Sequence, residues 1–202
     1  MSAYNDFYEA TVRLMNSSDL KAFDVAAEPG NLRDAYGRSK FGQGCLLARR
    51  LIENGIRAIE VQSGGWDMHS NLGEAMETHG GEFDQSFTAL INDLESRGLL
   101  KTTLVAVITE FGRKPEWQGT GRGHYPKAFT TLLAGAGIKR GYVHGATDAL
   151  GAEVTRDPVT VGNLHATIGH AAGLPLEQPA TSPSGRPFTV GNKAAPISEV
   201  FA

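Results

Sequence analysis

Six residues in two stretches have the types and spacing for joint chemistry. Asp67 and His69 stand two apart in Ser63-Gly64-Gly65-Trp66-Asp67-Met68-His69, a loop entered through glycines, so both can face one ion. Glu110 and Arg113 follow directly on the apolar run Leu104-Val105-Ala106-Val107-Ile108. Arg122 and His124 close the same loop, at Gly121-Arg122-Gly123-His124-Tyr125-Pro126. Two carboxylates and two imidazoles (Asp67, His69, Glu110, His124) are an ordinary ligand set for zinc or manganese. Such an ion polarises a phosphoryl or sulfuryl oxygen, or lowers the pKa of bound water toward neutrality. Arg113 and Arg122 can hold a tetrahedral anion through forked hydrogen bonds. A plainer reading stands beside this one: Glu110 as a solvated strand-end charge, Arg113 as its partner, and His124 as a loop residue. The spacing is not a strict pattern of the His-Glu-x-x-His kind.

These loops need elements to position them. The run from Leu104 to Ile108 is short, rich in β-branched residues and without polar alternation. It predicts a strand over Thr103 to Thr109, buried on both faces as in a parallel sheet. Ile56 to Gln62 predicts a second strand, and Phe129 to Ala134 a third, ended by Gly135-Ala136-Gly137. Between the first two, Glu74 to Ser96 reads as mainly helical, with Phe83, Phe87, Leu90, Ile91 and Leu94 inward and a break or kink at Gly80-Gly81. Strand, helix and strand predict a right-handed crossover with the two strands parallel. That places the Asp67 and Glu110 loops on one sheet edge, where open α/β sheets bind ligands.

The remaining elements frame this unit. A helix is expected over Ser39 to Asn54, closed at Asn54-Gly55 by a left-handed cap. Another covers Tyr4 to Met15 and stops at Asn16-Ser17-Ser18, and a third runs from a Thr160 cap through Ala172. Pro175 to Pro196 carries five prolines and reads as a surface tail. The expectation is one α/β domain over residues 1–202, with 175–202 as an extended tail packed on it.

Composition narrows the function classes. A net charge of −3 gives no electrostatic footprint for nucleic acid. No segment approaches the ~20 apolar residues that span a bilayer. MSAYNDFYEA shows no charged region before an apolar core, so no signal peptide is expected and the compartment stays open. Cys45, the single cysteine, excludes an internal disulfide and a cysteine-based zinc cage, and its apolar helical stripe marks it as a core residue. His79 reads as a solvated face, His165 and His170 as core or cap residues, and His144 as a loop residue. Gly135-Ala136-Gly137 opens no clear helix and is not a dinucleotide fingerprint.

Several runs together carry a resemblance. AFDVAAEP, YGRSKFGQGCLLARRLIENG, GGWDMHSN, LESRGLLKTTLVAVITEFGRKP and GRGHYPKAFTTLLAGAGIKRGYVHGATD resemble, in order, motifs of the domain-of-unknown-function 1501 family. LHATIGHAAGLP and GRPFTVGNKAAPISEVF extend the likeness to the end. The resemblance places the chain in the alkaline-phosphatase and sulfatase superfamily. It implies a three-layer α/β/α sandwich, alkaline-phosphatase-like, with a mainly parallel sheet and a metal site at its carboxyl edge. By motif, Asp67 and His69 come from Trp-Asp-x-His, Glu110 and Arg113 from Glu-Phe-Gly-Arg, and His124 from Gly-Arg-x-His. The superfamily usually spaces its first pair more widely, has Asp-His where Glu110-Phe111 stands, and in this family an aspartate often stands at the Gly123 position. The amino-terminal aspartate ligand and nucleophile of superfamily members have no counterpart here, so the chain resembles a carboxyl-terminal portion.

The implied activity is metal-dependent hydrolysis of phosphate or sulfate esters, on an anionic small molecule or sugar ester. Asp67, His69 and His124 would hold a zinc or manganese ion, Glu110 would be a further ligand or a base, and Arg113 would bind the anion with Arg122. The alternatives are a non-catalytic relative serving binding or assembly, and a fragment completed by an oligomer or a missing amino-terminal segment.

Overall fold

The Ser39 hydroxyl accepts a hydrogen bond from the Gly42 N–H and opens a helix at Lys40–Glu53. At its other end Gly55 takes φ +81°, its N–H reaches the Ile52 carbonyl, and the Ile56 N–H reaches that of Leu51. This paired closure satisfies carbonyls the helix leaves open, and the left-handed residue is where glycine has no side-chain penalty. The computed structural model describes residues 2–15 and 17–202. Among them the helices are α1 (Ser2–Met15), α2 (Gly30–Ala35), α3 (Lys40–Glu53), α4 (Leu72–Ser96) and α5 (Val161–Ala171). The expected stop at Asn16 lies outside the described residues. The chain divides into two compact units, Met1–Asp67 with Glu74–Ser96, and Met68–Gly73 with Arg97–Ala202.

The first unit is helical. Tyr36, Cys45, Leu46, Ala48, Leu90 and Leu94 are buried in it. Phe41, Phe83 and Phe87 stack in series with centroids 5.9 and 5.4 Å apart, and the Trp66 ring meets Phe83 edge-on at 6.2 Å. Arg49, 1% exposed, lies among three carboxylates: Nε is 2.9 Å from Asp93, Nη2 is 3.0 Å from Glu28, and Nη1 is 2.5 Å from Glu53. Arg50 pairs with Glu28 as well. The Tyr36 hydroxyl donates to Asp93 at 3.0 Å. Burial would raise the Glu28 carboxyl pKa, but hydrogen bonds and charge from Arg49 and Arg50 outweigh it and hold that pKa below its ordinary value.

The second unit contains short antiparallel pairs. β1 (Val105–Val107) pairs with β4 (Leu132–Ala134), matching Ala106 to Leu133. β2 (Gly112–Arg113) pairs with β3 (His124–Tyr125), β5 (Ala146–Thr147) with β6 (Val154–Arg156), and β7 (Ala180–Thr181) with β8 (Pro187–Phe188). The Thr160 and Asn163 side chains cap the start of α5 reciprocally. The Thr167 hydroxyl donates to the Asn163 carbonyl and accepts from the Ile197 N–H, which fastens the carboxyl-terminal segment to α5. No helix among the described residues is long and apolar enough to cross a membrane.

The expected three-layer sandwich with a mainly parallel sheet is overturned. The fold is mixed α/β, and its paired strands are short, antiparallel and in separate two-stranded sheets. Ile56 to Gln62 carries no regular secondary structure and belongs to no described sheet, so the parallel crossover has no first strand. Its β-branched residues suit a strand, yet a strand exists only where a neighbour offers backbone partners. The central strand shrinks to Val105–Val107 and takes Leu132–Ala134 beside it, and Ile108 is exposed rather than buried on both faces. A continuous apolar run marks burial and does not fix strand direction. The glycines at 80 and 81 leave α4 unbroken, since glycine weakens a helix without forbidding it.

Candidate functional site

β2 and β3 are the base of a hairpin that carries three of the six candidate residues. Arg113 lies opposite His124 in the register, and the Lys114 N–H continues the ladder to the Gly123 carbonyl. A further bridge joins Gln118 to Gly121 near the tip. The hairpin clasps the Met68–Leu72 segment by backbone bonds. The Arg122 N–H donates to the Met68 carbonyl at 3.2 Å, the Leu72 N–H to the Thr120 carbonyl at 3.0 Å, and the Asn71 N–H to the Thr120 hydroxyl at 3.0 Å. Gly121 is buried at the seam, where an added Cβ would collide with the backbone carbonyls of His69 and Met68. Only glycine lets the two segments approach that closely.

The clasp brings His69 against His124. Their Nε2 atoms are 3.1 Å apart, and their ring centroids are separated by 4.8 Å. The Phe111 ring backs His124 at 4.1 Å. Asp67, peptide-bonded to Met68 at the head of this segment, completes a trio whose ligand atoms all lie within 4.8 Å of one another. All three residues are exposed. Tetrahedral coordination with metal–nitrogen bonds of about 2.0–2.1 Å places neighbouring ligand atoms about 3.3 Å apart. The imidazole separation therefore suits such an ion, and one carboxylate with two imidazoles suits zinc. Two imidazole Nε2 atoms at this distance also form a hydrogen bond in which one ring donates and the other accepts, so the cluster alone is not a metal.

The other expected residues lie differently. Glu110 is exposed and outside this trio. Arg113 is half-buried, and its Nη1 donates to the Arg122 carbonyl at 3.2 Å while its guanidinium carbon lies 6.0 Å from the Phe111 ring centre. Arg122 has its guanidinium carbon 5.1 Å from the Trp117 ring centre, and its Nε is buried without a hydrogen-bond partner. Sequence reasoning missed Thr120, Trp117 and Phe111. The alternate glycines at 119, 121 and 123 were the available signal for a close backbone approach; nothing in the sequence marked Thr120 as its anchor.

No curated protein and no solved structure matches this chain. A family described as "Protein of unknown function (DUF1501)" matches residues 1–201. The match spans nearly the whole sequence, and the chain belongs to the DUF1501 family.

Proposed function

We propose that this chain binds one divalent metal ion, zinc or manganese, through Asp67, His69 and His124, and serves the hydrolysis of a phosphate or sulfate ester. The observation that carries the proposal is the convergence of one carboxylate and two imidazoles, from segments far apart in the chain, to within 4.8 Å. A bound divalent ion supplies Lewis acidity, drawing electrons from a phosphoryl or sulfuryl oxygen and acidifying water. His69 from the Met68–Leu72 segment and His124 from the hairpin that clasps it would orient toward the ion, with Phe111 holding the His124 ring in place. The guanidiniums of Arg113 and Arg122, on the same hairpin, would bind the ester's anionic group. Glu110 would serve as a proton acceptor from the loop after β1. The motif resemblance to the alkaline-phosphatase and sulfatase superfamily, with this chain as a carboxyl-terminal portion of its pattern, belongs to the same proposal and supports ester hydrolysis.

A second reading is a non-catalytic metal-binding protein, and the position of Glu110 outside the trio favours it. Elemental analysis of the metal-loaded chain tests both. One ion per chain is expected, lost in Asp67→Ala and His124→Ala, with slow, chelator-sensitive turnover of aryl phosphate or sulfate esters. Metal binding without turnover selects the second reading. Metal content unchanged in both variants, or rapid turnover that survives chelation, overturns the proposal.

A further inference from the structure

Trp117 projects from the hairpin with 58% of its surface exposed while the Arg122 guanidinium lies over its ring. Burial of this indole against the fold is therefore not what holds it there. Arg122 and His124 stand two apart in an extended segment, so their side chains leave on the same side with Cα atoms about 6.6 Å apart. Gly123, between them, turns the other way and lies against the Gln118 side chain. From His124 through Arg122 to Trp117 the hairpin thus offers in sequence a metal-ligand imidazole, a cation and an open aromatic face. Stacking on Trp117 restricts the Arg122 guanidinium, so the cation is held in one place beside the ring, where an anion can meet it. An ester whose anion sits at Arg122 extends its alcohol portion over what remains of the indole.

We infer that Trp117 and Arg122 form a subsite that selects esters of ring alcohols, phenols or pyranoses, over acyclic alkyl esters. The flat apolar face common to those rings packs on an indole, and an alkyl chain covers less of it. The inference rests on the ester reading above and names the class of ester.

Calorimetric titration of the full chain, loaded with manganese, tests it with phenyl phosphate, glucose 6-phosphate, propyl phosphate and inorganic phosphate. The ring esters are expected to bind about three- to tenfold tighter than propyl phosphate. Trp117→Ala should erase that difference at an unchanged melting temperature, since the side chain is exposed, and Trp117→Phe should retain most of it. Arg122→Gln should weaken all four ligands together, by about tenfold or more. A lead for phenyl phosphate identifies an aryl ester, and a lead for glucose 6-phosphate a sugar ester; either supports the subsite. Equal binding of ring and propyl esters, a preference that survives Trp117→Ala, or no binding by any of the four overturns it. Turnover is measured separately. Ring preference without turnover ends the hydrolase reading and leaves the subsite, whereas turnover without ring preference ends the subsite alone.

Discussion

Replacing Arg49 with alanine removes a buried cation that faces Asp93, Glu28 and Glu53 together. Side-chain exposures decide the size of the effect. Arg49 is 1% exposed, Asp93 8% and Glu28 11%, so two carboxylates stay out of water after the truncation. Glu28 keeps Arg50, whereas Asp93 retains the Tyr36 hydroxyl but loses its Arg49 ion pair. Removing one partner of a buried ion pair costs about 3–5 kcal/mol. For a chain of this length that is a fall in melting temperature of roughly 6–20 °C. The control is Glu53→Ala, because Glu53 is 31% exposed and its loss is expected to stay within about 1 kcal/mol. Urea and thermal melts followed by circular dichroism measure both. Acid supplies a second check. Because the Glu28 carboxyl is held below its ordinary value when folded, its contribution is present above about pH 4.3 and is lost as pH falls through the depressed value. The gap between wild type and Arg49→Ala should therefore narrow in acid. A loss below about 1 kcal/mol at neutral pH, or one equal to that of Glu53→Ala, would refute the reasoning.

Three further outcomes are expected. Zinc at about one hundred times its dissociation constant should stabilise the chain by about 2.7 kcal/mol, an effect absent from Asp67→Ala; a melting temperature indifferent to zinc counts against the trio. Gly121→Ala should weaken metal binding at least about tenfold by forcing the hairpin off His69, whereas Gly64→Ala, where an added Cβ meets open space, should leave it unchanged; equal effects would discredit the clasp. Burial pushes the Cys45 thiol up to about 12, so Ellman's reagent at pH 8 should label it only after denaturation. The unfolded thiol loses its proton near pH 8.5 and the folded one keeps it to about 12, so stability should fall with rising pH across that window.

Local chemistry was the legible part of this sequence. Thr160 announced a helix start because a hydroxyl before an apolar periodic run meets the free N–H groups, and its side chain makes that bond; the helix expected from Ser39 opens on the Ser39 hydroxyl in the same way. Asp67, His69 and His124 were readable from residue type and loop position, and the three lie together. Long-range pairing was not legible. Nothing in Val105–Val107 distinguishes an antiparallel neighbour from a parallel one, and nothing in Ile56 to Gln62 reveals that it joins no described sheet. The β1 pairing depends on where the chain between Val107 and Leu132 returns, which no single segment encodes. Glu110 follows an apolar run, and that position says nothing about the direction of its carboxylate.

The clasp also bears on when the site comes into being. His69 and His124 are 55 positions apart, so their meeting closes a long loop whose entropy cost grows only slowly with length. Neither imidazole has its neighbour until Thr120 and Arg122 dock on the Met68–Leu72 backbone. A nascent or partly opened chain accordingly offers a divalent ion isolated side chains, and only the assembled one offers the trio. Under the metal reading proposed above, loading would thereby be coupled to completion of this part of the fold. An ion held there would in turn act as a removable cross-link, slowing detachment of the hairpin and shielding its tip from proteases until the ion left.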